Sequence, residues 1–175
     1  MWKKRPLVDT FGVVNPHAVP YFVHKVRERI KKPVEAHFHD DYGLGVANTL
    51  MALASGVEVA HTTVTGFGER AGNAPYEEIV MALLTLYGVD TGIDTTKLRS
   101  ISKLVQQIAG IKTKPNRSVI GERLFQIESG IVAGWVRNCG KEMPLEIVPY
   151  LPELVGEKSA EVCLRKTYPL DEYDF

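Results

Sequence analysis

A chain of 175 residues with 45% hydrophobic and 24% charged side chains suits one domain with its own core, or one domain with an appendage, of the soluble globular class. Its 21 basic and 21 acidic residues cancel, so no net field draws it to nucleic acid. No stretch is long and apolar enough to span a bilayer, the basic start Met1-Trp2-Lys3-Lys4-Arg5 runs into Pro6 instead of a signal core, and two cysteines, Cys139 and Cys163, make neither a disulfide framework nor a zinc knuckle. The expected address is the cytoplasm.

Pro6-Leu7-Val8-Asp9-Thr10 reads as a short buried strand that ends in polar residues, with Gly12 at the exit turn. Asn15-Pro16 follows as a cap and a first-turn proline. Val19, Phe22, Val23, Val26 and Ile30 recur at helical spacing, which predicts an amphipathic helix to about Ile30, stopped by Lys31-Lys32-Pro33. Pro20 leaves its start open, either at Pro16 with an irregular first turn or near Pro20 itself. The run from Pro33 to His39 is a second strand; alternation puts Glu35, His37 and His39 on one face and Val34, Ala36 and Phe38 on the other. Leu44, Ala47, Leu50, Met51 and Ala54 mark a second helix closed by Ser55-Gly56, and Val57 to Val64 a third strand. Thr65 to Ala74 is a glycine-rich loop able to bring main chain close to a ligand. Pro75 opens a third helix, with Glu77 and Glu78 favourably placed against its dipole and Tyr76, Ile79, Val80, Leu83, Leu84 and Tyr87 on one face. Strand and helix alternating three times is the signature of parallel βα units.

From Gly88 the pattern changes. Asp94 caps a helix with Leu98, Ile101, Leu104, Val105 and Ile108 expected inward, ending at Gly110. Lys112 to Arg117 is linker-like, Glu122 to Val136 is expected to form a further helix interrupted by Gly130 and Gly134, and the stretch from Met143 onward reads as irregular with at most one short helix. The chain therefore divides into a βα part, residues 1–90, and a helical part with an irregular tail, residues 91–175.

In parallel βα folds functional groups gather at the carboxyl ends of the strands. Those ends carry Asp9 and Thr10, then His37, His39 and Asp41, then Gly66 through Asn73. Two imidazoles one pleat apart can reach a single divalent ion; they can equally cap a strand and hydrogen-bond locally. Three strands delivering polar groups to one rim favours a site. His61, His17 and His24 read as packed or surface histidines, Glu35 as a satisfied polar layer beneath the histidines, and Asp9 as a strand-end hydrogen-bond acceptor.

Asp9-Thr10-Phe11-Gly12, His37-Phe38-His39-Asp40-Asp41-Tyr42-Gly43-Leu44 and Gly66-Phe67-Gly68-Glu69-Arg70-Ala71-Gly72-Asn73 stand in the order and spacing of the pyruvate-carboxyltransferase-like, or HMG-CoA lyase-like, family. The chain resembles that group of metal-dependent TIM barrels, which includes 2-isopropylmalate synthase and homocitrate synthase, from about Leu7 to Tyr87 and more faintly through Glu122 to Ser129. The resemblance implies an α/β fold, a partial TIM barrel whose three βα units are equivalent to strands six to eight, followed by a small helical region. It implies that His37 and His39 ligate a divalent metal ion (Mg, Mn or Zn), with Asn73 as a ligand or near neighbour. It also implies that Thr10 binds the carboxylate of a 2-oxo acid, and that Asp41, Gly66, Gly68, Glu69, Arg70 and Gly72 shape the site, Glu69 and Arg70 having a mutual ion pair as their structural alternative.

The implied chemistry joins or cleaves a carbon-carbon bond between a 2-oxo acid and an acyl-CoA such as acetyl-CoA. The condensing members carry a histidine where this chain has Val132, and the family takes a further acidic ligand and an acid-base pair from strands not in this sequence. The chain is therefore expected to be inactive without that half, and either to form a homo-oligomer or to need a partner chain that supplies the strands. The alternative is a non-catalytic metal- or carboxylate-binding partner subunit.

Overall fold

The computed structural model describes residues 5–128, 130–139, 148–158 and 161–162. β1 (Arg5–Asp9), α1 (Ala18–Arg29), β2 (Val34–Phe38), α2 (Gly45–Ala54), β3 (Val59–His61) and α3 (Tyr76–Tyr87) alternate as expected, and the strands pair in parallel in the order β1-β2-β3. The register sets Val8, His37 and His61 side by side, and Leu7, Ala36 and Ala60 likewise. Cross-strand partners share a face. The Ala36 face is the covered one: Val34, Ala36 and Phe38 pack with Val19 and Val23 of α1 and Ala52 of α2. On the other face Val8 is 49% exposed and Val59 41%. β1 is thus apolar on both faces but buried on one only.

Pro20 settles the start of α1. The helix begins at Ala18, which places the proline third, where a backbone N–H has no partner inside the helix in any case. Asn15 caps this turn, its side chain accepting the Ala18 N–H at 3.0 Å.

Two helices turn a different face inward from the one their apolar residues predict. In α2 the buried stripe is Gly45, Asn48, Thr49 and Ala52, while Ala54 is exposed and Leu50 half-buried. Asn48 is held there because its Nδ2 donates to the Val14 carbonyl at 2.7 Å, and position 45 takes glycine because a Cβ there would meet the Asp40 carboxylate and the Ala74 backbone. After a short 3-10 turn at Thr95–Lys97, for which Asp94 accepts the Thr96 N–H, α4 (Leu98–Ala109) buries Leu98, Arg99 and Ser102. Leu104 and Ile108 instead stand 53% and 77% exposed. Arg99 is satisfied inside by Glu157 at 2.9 Å and the Gly121 carbonyl at 3.2 Å, which is why a charged residue displaces isoleucine from the inner face.

The expected helix from Glu122 is also corrected. Residues 122–125 are turns, β4 (Gln126–Ile127) pairs in parallel with β5 (Glu161–Val162), and α5 (Gly130–Cys139) begins at the first of the two glycines. A second core joins Val80 and Met81 of α3 to Leu98, Val119, Ile120, Phe125, Val148 and Val155. The one short helix expected in the tail is the 3-10 turn Pro152–Val155; most of the rest of that stretch, Cys163 included, lies outside the described residues. Among the described residues no helix is long and apolar enough to cross a membrane.

Candidate functional site

The strand ends meet at one rim. β2 ends at Phe38, and His39, just beyond it, bridges antiparallel to Asn73 while the Ala74 N–H donates to the Phe38 carbonyl at 3.2 Å. This ties the end of β2 to the far end of the glycine-rich loop. Alternation then turns both imidazoles to the same side, His37 Nε2 and His39 Nε2 standing 3.3 Å apart with the rings edge to face. Burial lowers the His37 pKa, and the neighbouring His39 and His61 lower it further. Both effects favour the neutral ring, the form that offers a lone pair to a ligand.

Asn73 completes the group. It is buried, its Nδ2 donates to the Phe67 carbonyl at 3.0 Å, and its Oδ1 has no hydrogen-bond partner. A Cβ on Gly68 would overlap that amide, and Gly72, at φ +89°, has no room for one beside the Gly66 carbonyl. These two glycines let the loop close over Asn73. His39 Nδ1 is a second buried polar atom without a partner.

Arg70 straps the three strand ends together. Its guanidinium donates to both carboxylate oxygens of Asp41 at 2.9 Å and to the Thr10 carbonyl at 2.5 Å, and it lies over the Phe11 ring at 5.7 Å. Arg70 holds the Asp41 carboxyl below the usual carboxylate range. Glu69, the neighbour anticipated as its ion-pair partner, is only a distant second at 3.9 Å and projects into solvent. Thr10 is exposed at the rim, with its carbonyl under the strap.

The residues given structural roles hold them. Asp9 accepts the Val13 and Val14 N–H groups at 3.1 and 3.0 Å, His61 Nε2 meets the buried Glu35 carboxylate at 2.9 Å, and His24 lies on the outer surface against Glu28. Sequence reasoning missed one residue. Glu77, read only as a favourable charge at a helix start, is fully buried, and both its oxygens accept the Thr65 N–H at 2.9 Å. Thr65 sits at φ +62°, a conformation a β-branched residue takes only when its surroundings hold it there. The available signal was a β-branched residue directly before Gly66 with a carboxylate twelve residues on. Beside it, Glu78 pairs with Arg117 at 2.9 Å, which carries the segment after α4 back against the loop.

Among the described residues no three His, Cys, Asp or Glu side chains gather to hold a metal ion. The donor set at the rim is two imidazoles and an amide. Two nitrogens bound to one ion at about 2.1 Å stand about 3.0–3.4 Å apart, so the observed separation of 3.3 Å matches a shared ion, and Asn73, the bridge partner of His39, carries an unpartnered oxygen as a candidate hard donor. The residues fit a divalent metal.

Residues 6–105 match the family model described as HMGL-like. A 2-isopropylmalate synthase from Methanocaldococcus jannaschii is 46% identical over 150 residues, a match that covers 86% of this chain and 28% of the relative. A homocitrate synthase from Methanopyrus kandleri is 45% identical over 148 residues, covering 85% and 36%. The structure of an HMG-CoA lyase from Acinetobacter baumannii in complex with coenzyme A and 3-methylmalate superposes with a TM-score of 0.55 at 28% identity, covering 62% of this chain and 37% of that one. The chain thus spans about a third of the length of the relatives it matches.

Proposed function

The chain belongs to the HMGL-like family, and on that premise we propose that its three βα units are the sixth to eighth strands of a TIM barrel and form the metal-bearing rim of an acyltransferase or lyase acting on a 2-oxo acid and an acyl-CoA. The single observation that carries this reading is the pairing of His37 Nε2 with His39 Nε2 at 3.3 Å, next to the unpartnered buried Oδ1 of Asn73, the bridge partner of His39, on the rim of strand ends that also bears Thr10. His37, His39 and Asn73 hold a divalent ion, Mg, Mn or Zn. Bound there, the ion supplies Lewis-acid polarisation of a keto group. Thr10 offers its hydroxyl to the 2-oxo acid's carboxylate, and Asp41 with Arg70 fixes the height of Thr10 above the rim. Gly66, Gly68 and Gly72 keep the loop thin enough to seat Asn73, and Glu69 stays at the solvent edge.

In this reading residues 1–90 carry the site and residues 91–175 form an appended subdomain that buttresses it. These 175 residues bind metal and 2-oxo acid, turnover also needs strands one to five of the barrel, and the reading places the protein in the cytoplasm. The exposed Val8 and Val59 on the open face of the sheet support the need for further strands against it. A second reading, a non-catalytic subunit that binds a metal or a carboxylate, is favoured by Val132, where the condensing relatives' pattern has a histidine.

Calorimetric titration with Mn²⁺, then with pyruvate or 2-oxoglutarate, tests the site. One ion per chain, lost in the double variant His37→Ala, His39→Ala, is the expected result. Absence of binding both alone and with a polypeptide carrying strands one to five sinks it. Turnover of acetyl-CoA with that polypeptide added separates the enzyme from the non-catalytic subunit.

A further inference from the structure

From Thr95 to Gly121 the sequence contains six basic residues, Lys97, Arg99, Lys103, Lys112, Lys114 and Arg117, and no acidic one, in a chain whose total charge is zero. The structure spends two of these internally: Arg99 pairs with Glu157 and Arg117 with Glu78. Lys103, Lys112 and Lys114 instead line one cleft of about 670 Å³ between the last turns of α4 and the segment that folds back over them. The wall of the cleft is built. Gln106 Oε1 accepts the Thr113 N–H at 2.9 Å and its hydroxyl at 3.2 Å, which pins the returning segment to the helix. The floor is apolar, with Ile120 buried and Ile111 half-exposed.

Charge balance decides what such a cleft takes. The carboxyl end of a helix carries about half a negative charge, and one or two lysines there would do no more than complement it. Three ammonium groups against that half charge and the single carboxylate in the lining, Glu122, leave the cleft net positive. We propose that this cleft is a binding site for a diphosphate-bearing small molecule, the phosphates meeting Lys103, Lys112 and Lys114 and an apolar or aromatic portion lying on Ile111 and Ile120. The site is separate from the strand-end rim and does not depend on the reading given to it.

The test uses the chain itself at low ionic strength, titrated by calorimetry with inorganic pyrophosphate, ADP and coenzyme A in separate runs. Saturable one-site binding is expected, at least tenfold weaker in both Lys112→Glu, Lys114→Glu and the milder Lys112→Gln, Lys114→Gln. The control Lys31→Glu, Lys32→Glu, which removes the same charge from another surface, should bind as the parent does. ADP binding tenfold or more tighter than pyrophosphate is the result expected if the apolar residues take part, and equal affinities overturn the role given to Ile111 and Ile120. No saturation by any of the three probes at millimolar concentration, or an equal loss in the control, overturns the proposal.

Discussion

The carboxylate of Glu77, on the first turn of α3, takes the N–H of Thr65 between its two oxygens, and this one side chain holds a β-branched residue at φ +62° immediately before the loop that carries Asn73. Glu77→Ala leaves that N–H buried without a partner and releases the strained residue, a loss of about 2–4 kcal/mol by urea denaturation. Thr65→Gly, which accepts the conformation freely, should be close to neutral, and in its background the Glu77→Ala loss should shrink. Additive losses would show that the strain is not what Glu77 holds.

The same carboxyl gives the fold a pH dependence of defined sign. Burial raises the Glu77 pKa, against the opposing pull of its backbone hydrogen bonds and of Arg117. The folded state then keeps a proton that the unfolded chain gives up at the ordinary carboxyl value of about 4.3, so the unfolded state binds fewer protons across the window between the two values. Stability falls as pH rises through that window. Glu77→Gln should flatten this segment of the curve, read as urea midpoints at steps of half a pH unit.

Arg70 makes a different kind of contribution. Its bonds to Asp41 and to the Thr10 carbonyl lie in solvent, where ion pairs add little to stability, yet they fix the relative heights of three strand ends. Arg70→Lys keeps the charge and loses the fork that reaches both partners. We expect an unchanged melting temperature with about tenfold weaker 2-oxo acid binding in the presence of metal. A fall in melting temperature that parallels the loss of binding would make Arg70 a residue of the fold only.

How far the sequence disclosed this molecule depends on which force decides each element. The β2 alternation, the positions of His37 and His39 and the βα order follow from period-2 patterning and from glycine and proline punctuation, and all stand where the residues predict. The faces of α2 and α4 do not, because buried hydrogen bonds of Asn48 and Arg99 override the apolar stripes. Such bonds join residues 22 to 58 positions apart, and no local pattern announces them. The turns at 122–125 escaped for a related reason. Helical spacing is present there, but Arg123 N–H donates back to the Pro115 carbonyl, a partner supplied by a different segment.

The glycine-rich loop predicts a separation of binding from folding. Gly68→Ala puts a methyl group where the Asn73 amide now lies, and that side chain can rotate away at small cost. Metal affinity should fall at least tenfold by calorimetry while stability changes by less than about 1 kcal/mol. In Gly72→Ala the methyl meets the Gly66 carbonyl, which is main chain and cannot yield, at a φ of +89°. Here the loss should be in the fold, about 2–4 kcal/mol. The opposite order of the two variants would place the metal site elsewhere than at Asn73.

The inverted face of α4 gives the most direct check of the packing. If Leu98, Arg99 and Ser102 form the inner face, Leu98→Ala removes a fully buried side chain from the second core and should cost about 2–5 kcal/mol. Ile108→Gln, at a position 77% exposed, should change stability by no more than about 0.5 kcal/mol, even though the periodicity of the helix makes Ile108 look equally central. Arg99→Met distinguishes the two orientations further. With Arg99 inside, the methionine fills its volume but leaves Glu157 without its ion-pair partner and the Gly121 carbonyl short of a donor, so the variant should lose about 1–3 kcal/mol. With Arg99 on the surface, the same change would be silent. Leu98 is inward in either orientation, so it is urea denaturation of Ile108→Gln and Arg99→Met that separates a helix packed by its polar hydrogen bonds from one packed by its apolar stripe.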